Sequence, residues 1–227
     1  FTWGPVDDHF SAAPHALSYR VRWARSSTVP IETFVATCAW NDATQILDVW
    51  ASIQMPKYPD LLAKCLRLPG NGVRVHYDVD VGGSYGAKRG PSPTILVGYL
   101  AMKLGRPVRF LEDRLENMRG GDMQGPDRIF DVTLAFEGDG TIRSMRMRAI
   151  DDIGAYSGRS PLQLGKPVGA IVGPYRIASV EYDAISVLTH KTPQEAVRGF
   201  GQAPTNYAIE TGIDKVARYL GMDRIEI

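Results

Sequence analysis

Val81-Gly82-Gly83-Ser84-Tyr85-Gly86-Ala87-Lys88 lies between a β-like run and a helix-like run. Its glycines can take positive φ and let backbone N–H groups come close to a bulky ligand. Lys88 is expected at the rim as a point positive charge, so the pattern predicts a loop that holds an anion. Neither nucleotide signature fits. A phosphate loop needs Gly where Ala87 stands and Ser or Thr where Arg89 stands, and a dinucleotide fingerprint needs G-x-G-x-x-G. Taken alone, a strand-to-helix turn whose glycines only permit tight packing is the simpler account.

Before it, 73–77 reads as a strand delivering this loop, and after it Pro93 to Leu104 reads as an apolar helix, buried on most sides, that Gly105 ends. Strand, loop and helix in that order would place backbone donors at a helix N-terminus. Further back, 7–13 reads as a short helix and 16–25 as a half-buried strand. Residues 30–40 read as a second strand, joined through Asn41-Asp42-Ala43-Thr44 to 45–51 as a hairpin. Glu32 stands among apolar neighbours in that run and is either paired or an edge-strand carboxylate in water. Gln54 precedes Met55-Pro56, where Pro56 is expected to open a helix through Leu61, Leu62, Cys65 and Leu68. A Gln at such a junction can offer an N–H donor into a site.

Downstream, 106–110 is a predicted strand, 112–118 a polar helical turn with internal ion pairs, and 120–126 a loop. Arg128 to Glu137 and Thr141 to Asp151 form a predicted hairpin around Gly138-Asp139-Gly140. Asp151-Asp152 is read as solvated charge, because adjacent strand residues point to opposite faces. A second glycine-rich stretch, Ala196-Val197-Arg198-Gly199-Phe200-Gly201, precedes a helix that Pro204 opens, with Ile209, Ile213, Val216, Ala217 and Leu220 along one stripe. Arg198 can bond a phosphate or carboxylate with two parallel hydrogen bonds, and Phe200 offers an aromatic face. A core Phe and a surface Arg explain that stretch as well when it is read alone.

Composition removes whole classes. The 227 residues are 44% hydrophobic and 22% charged, which suits an ordinary globular chain. A formal net charge of +1 gives no reason to expect nucleic acid, and no apolar run is long enough for membrane insertion. Residues 1–5 lack the features of a signal peptide, which points to the cytoplasm, with the periplasm as the other location. Cys38 and Cys65 are far apart and lack C-x-x-C spacing, so both are expected to be buried thiols and not cluster ligands. The four histidines show no H-x-x-x-H spacing, so no direct metal ligand is expected.

Two glycine-rich loops with their accompanying segments resemble the molybdopterin-binding large subunit of the xanthine dehydrogenase and aldehyde oxidase family, in its bacterial separate-subunit form. The matching segments occur in the family's order: Pro30-Ile31-Glu32, Trp50-Ala51-Ser52-Ile53-Gln54, Gly82 to Lys88, Arg106-Pro107-Val108-Arg109, Gly173-Pro174-Tyr175 and Val197-Arg198-Gly199-Phe200-Gly201. The resemblance implies a cofactor of molybdenum and molybdopterin, the cytosine dinucleotide being one of its forms, with iron–sulfur centres and FAD on partner subunits or domains. It implies hydroxylation of an aldehyde or N-heteroaromatic small molecule with water-derived oxygen, and electrons leaving to a flavin or cytochrome acceptor.

By that resemblance Gln54, Arg198 and Phe200 would be the catalytic positions. Gln54 would bond an oxygen ligand of the metal, Arg198 would contact the cofactor or orient substrate, and Phe200 would stack on a flat ring. Gly82, Gly83, Ser84, Tyr85, Gly86, Arg198 and Gly199 would line the cofactor, which itself holds the molybdenum. Lys166 falls near a substrate-polarising Arg of some members. Tyr85 replaces the commoner Phe, and Arg89 stands where some members carry a substrate-binding Glu. Gly199 stands where carbon monoxide dehydrogenases place a copper-binding Cys, which argues against that activity. The family's catalytic Glu lies near the end of the large subunit, so the chain reads as a fragment that needs the remainder of its own subunit and would be inactive alone. A non-catalytic assembly or binding module with the same fold is the alternative. The expected architecture is α+β, with mixed or antiparallel sheets flanked by helices, as part of the molybdenum-cofactor-binding domain. Two lobes, 1–120 and 121–227, would meet near Gly120 to Pro126 and clasp one pterin group between their loops.

Overall fold

The computed structural model describes residues 1–120 and 124–227. Part of the predicted 120–126 loop, and with it the expected meeting point of the lobes, lies outside the described residues. The architecture is α+β, with mixed sheets flanked by helices, as the sequence implied. The chain divides into two compact units, Phe1–Ser26 with Gly125–Ile227, and Ser27–Gln124. A linear division into 1–120 and 121–227 does not see the first of these crossings, at Ser26. Its physical cause is strand pairing between residues more than a hundred positions apart.

In the first unit the elements are β1 (Thr2–Trp3), α1 (Val6–Ala12), β2 (His15–Trp23), β7 (Arg128–Phe136), β8 (Ile142–Gly154), α5 (Ser160–Gly165), β9 (Ser179–Leu188) and α6 (Gln202–Leu220). The strands form one sheet in the order β1-β9-β8-β7-β2. β2 pairs antiparallel with β7, and β7 with β8, while β8 and β9 run parallel. A parallel pair requires a crossover, and α5 with the 3-10 turn Lys166–Ala170 provides it. The β7–β8 hairpin closes where expected: Gly140 takes φ +89° and the Thr141 N–H donates to Asp139 Oδ1 at 3.0 Å. Alternate residues of the sheet, among them Phe130, Leu134, Met145 and Met147, pack with Ile209, Ile213 and Val216 of α6 as one core.

The second unit holds β3 (Val35–Asn41), β4 (Ile46–Ala51), α2 (Tyr58–Leu66), β5 (Val73–His76), α3 (Ser92–Leu104), β6 (Val108–Leu111) and α4 (Arg114–Arg119). Its sheet order is β5-β4-β3-β6, with β4 and β5 parallel across α2. Cys38, Leu47, Val49, Leu62, Val97 and Ala101 share its core.

Several expectations are corrected here. β3 starts at Val35 and not at residue 30, because the segment before it is bonded elsewhere: the guanidinium of Arg114 donates to the carbonyls of Pro30 and Ile31 at 2.7 and 2.8 Å. Pro59, not Pro56, sits in the first turn of α2. α3 buries one face through Thr94, Val97, Gly98 and Ala101, leaving Leu96 and Tyr99 60% and 51% exposed. α4 is held by an Asp113–Glu116 capping box and not by internal ion pairs. Cys38 is buried but Cys65 is exposed. Asp151 is not solvated: it faces Arg128 in register and the two form a 2.8 Å ion pair with both side chains fully buried.

Candidate functional site

Gln54 leaves the end of β4 on the way to α2, the junction the sequence predicted. The exit is fixed just before it, where the Ser52 N–H donates to the Val35 carbonyl at 3.0 Å and the Val35 N–H to Ser52 Oγ at 3.1 Å. From there Gln54 Oε1 accepts the Gly86 N–H at 3.1 Å and a hydrogen bond from the Ser84 hydroxyl. Ser84 Oγ in turn accepts the Lys88 N–H at 3.0 Å, and the Lys88 carbonyl accepts the Gln54 N–H at 3.2 Å. A backbone N–H can only donate, so the atom facing Gly86 must be the amide oxygen. That places Nε2, with both its protons, away from the loop on an exposed side chain.

The loop's shape depends on left-handed backbone at Gly83, Tyr85 and Gly86, with φ of +97°, +56° and +119°. A non-glycine residue at positive φ is strained, and here it leaves the Tyr85 side chain 43% exposed at the turn. Two sequence expectations fail at this loop. α3 begins only at Ser92, so residues 82–86 are not the N-terminus of a helix; they fold back onto Gln54 instead. Lys88 is not a rim charge either. Its side chain is 2% exposed and its ammonium is paired with Glu32 Oε2, which also accepts the Gly82 N–H at 2.9 Å. Of the two readings of Glu32, the paired one is correct.

The second loop belongs to the first unit. The Phe200 N–H donates to the Val197 carbonyl at 2.7 Å and the Gln202 N–H to the Gly199 carbonyl at 3.0 Å, making overlapping turns. Gly199, Phe200 and Gly201 all take positive φ, at +95°, +45° and +91°. A Cβ on Gly201 would sit 1.8 Å from the Gln163 carbonyl oxygen, so α5 presses on the loop where only glycine fits. Gln163 Nε2 also donates to the Glu195 carbonyl at 2.9 Å. Gly201 then caps the N-terminus of α6. Arg198 is exposed, Phe200 is half-buried, and the Lys166 ammonium stands 5.3 Å from the centre of the Phe200 ring.

Gln54, Gly82, Ser84 and Gly86 are thus joined in one hydrogen-bond network, with Gly83 and Tyr85 in the same loop. Arg198, Gly199 and Phe200 share the other loop. In the second unit Gln54 Nε2 can donate to an oxygen acceptor; in the first, Arg198 is a residue type that bonds phosphate or carboxylate, and the Phe200 ring suits a flat partner. Among the described residues no group of three His, Cys, Asp or Glu side chains could hold a metal directly.

A family model described as "Molybdopterin cofactor-binding domain" matches residues 1–227. The chain belongs to that family. Relatives of this molybdopterin cofactor-binding domain include the 6-hydroxypseudooxynicotine dehydrogenase complex subunit gamma of Paenarthrobacter nicotinovorans, 29% identical over 99% of this chain and 28% of that protein. The nicotine 6-hydroxylase large subunit of the same organism is 30% identical over 100% of this chain and 28% of its own length. The crystal structure of quinoline 2-oxidoreductase from Pseudomonas putida 86 superposes with a TM-score of 0.86 at 33% identity, covering 98% of this chain and 29% of that one. The chain therefore spans under a third of the length of each of these three proteins.

Sequence reading did not find the Glu32–Lys88 pair or the relay through Ser84. The one available signal was a carboxylate among apolar residues at Pro30-Ile31-Glu32-Thr33-Phe34.

Proposed function

We propose that this chain is the cofactor-holding part of a molybdenum hydroxylase large subunit acting on an aldehyde or an N-heteroaromatic compound. When bound, the molybdenum–pterin group supplies the redox chemistry for hydroxylation with water-derived oxygen. The chain's own residues bind and orient. Gln54 Nε2 would donate to an oxygen acceptor of the cofactor, residues 82–86 would line it, and Arg198 and Gly199 would contact cofactor or substrate. Phe200 stacks on a planar substrate ring. Iron–sulfur and flavin partners, held on other subunits or domains, take the electrons away. Tyr85 keeps the ring of the commoner Phe while adding a hydroxyl.

The observation that supports this reading is the Gln54 side chain: its oxygen accepts from Gly86 and Ser84, and its two N–H bonds would serve a ligand. The test is metal analysis and dye-coupled oxidation by the full-length parent subunit in its complex. Molybdenum in the parent, with Gln54→Ala and Arg198→Ala each cutting turnover by roughly a hundredfold, is the expected result. Wild-type rates in both variants would sink the assigned roles. A parent without molybdenum would favour a non-catalytic assembly module.

A further inference from the structure

We propose that Glu32 and Lys88 are positioning residues for the cofactor, a charged staple that holds the 82–88 loop in its receptive shape; this rests on the function proposed above. One carboxylate oxygen, Glu32 Oε2, takes the N–H of the first residue of the loop at 2.9 Å and the ammonium of the last. The Glu32 N–H returns a bond to the Gly82 carbonyl at 3.2 Å. Glu32 is itself fixed from behind, because Arg114 of α4 holds the carbonyls of Pro30 and Ile31 and bonds Asn117 Oδ1 at 2.7 Å. A Cβ on Gly82 would lie 2.5 Å from the Glu32 Cβ, so the close approach is available only to glycine. Gln54 shapes the middle of the loop and Glu32 closes its base.

The two partners are not equivalent. The Lys88 side chain is 2% exposed whereas that of Glu32 is 32% exposed. Removing the carboxylate strands a buried ammonium, which reaches water only by pulling Lys88 outward. That movement would break the Lys88 N–H bond to Ser84 and the Gln54 N–H bond to the Lys88 carbonyl, and so loosen the network beneath the cofactor. Removing the ammonium instead leaves a carboxylate that water already reaches and that keeps the Gly82 bond.

This asymmetry sets the experiment: Glu32→Gln, Lys88→Met and the double variant in the full-length subunit with its partners, read as molybdenum per subunit and pterin released on denaturation, with circular dichroism to report the fold. Glu32→Gln is expected to lose cofactor by about tenfold or more, Lys88→Met to keep at least about half of it, and the double variant to recover to the Lys88→Met level. A role confined to general stability would instead lower the melting midpoint followed by circular dichroism in step with the cofactor content, whereas the staple predicts cofactor loss from a chain that is still folded. A loaded parent whose Glu32→Gln variant matches it, or a double variant as empty as Glu32→Gln, overturns the staple alone. Should Glu32→Gln fail to accumulate folded, the double variant decides: loaded supports the staple, and empty overturns it. A parent that holds no molybdenum overturns the proposed function and the staple together.

Discussion

Cys38 and Cys65 show how differently one residue type behaves in two places. Cys38 lies within the sheet of the second unit, where burial pushes its thiol up to about 12, while Cys65 is exposed on α2. Since the thiolate is the reactive form, a thiol reagent at pH 8 should label one cysteine in the folded chain and two after denaturation. Rapid labelling of both without denaturant would contradict the packing. The sequence treats these two cysteines alike because spacing can exclude a cluster but cannot say which face of a helix a residue occupies. Asp151 is a similar case. Nothing local distinguishes it from Asp152, and only the register that sets it opposite Arg128 makes it a buried partner. Glu32 and Lys88 stand 56 residues apart, so their pairing is equally invisible to a local reading. The position of Gln54 between β4 and α2 was legible because the end of a strand is a local signal, although the start of the helix was not placed correctly.

Whole elements were read more securely where their contacts are close in sequence. The β7–β8 hairpin announces itself through Gly138-Asp139-Gly140, and α6 through its apolar stripe and its proline in the first turns. The pairings that needed distant partners were not legible, among them β8 with β9 and β4 with β5. The 82–88 loop shares that fate, since its shape comes from Gln54 and Glu32 on other segments. Docking of α6 on the sheet turns on Gly212, where a Cβ would sit 2.1 Å from the Tyr19 hydroxyl oxygen and 2.9 Å from Leu134 Cδ1. The same hydroxyl donates to the Ala208 carbonyl at 2.8 Å, and burial pushes the phenol's pKa up. Gly212→Ala should therefore cost about 1–3 kcal/mol through overpacking, despite alanine's better helix propensity. Urea unfolding measures it, and an unchanged or raised midpoint would show that the helix stands further from the sheet than described.

At the scale of the whole molecule, three carboxylates of the first unit, Asp131, Asp139 and Asp152, have lowered pKa values. Arg20 hydrogen-bonds Asp131 and holds it below the ordinary 3.8, and the Thr141 backbone N–H does the same for Asp139. At Asp152 burial opposes ionisation, but bonds from Lys191, Thr189 and Gly154 outweigh it and leave the pKa lowered. A carboxyl lowered in the folded state contributes stability above its unfolded pKa and loses it as pH falls through the folded value. Lys191 runs the other way: bonded to Asp152 and Asp127, its pKa is raised above 10.5, so its contribution is present below that value and lost as pH climbs through the raised one. Thermal stability should accordingly hold on a plateau between these limits, decline below about pH 4 and decline again in strong alkali. Melting midpoints that stay level from pH 5 to about pH 2 would contradict the acid limb.

The threading of the chain has a temporal consequence. β2 finds its partner β7 only after an intervening unit, with Ser18 and Thr133 bonded across 115 residues. During synthesis the inserted Ser27–Gln124 piece emerges complete while the opening strand is still without its neighbour. The nascent protein thus has to keep His15–Trp23 from sticking elsewhere until the ribosome has delivered Arg128–Phe136.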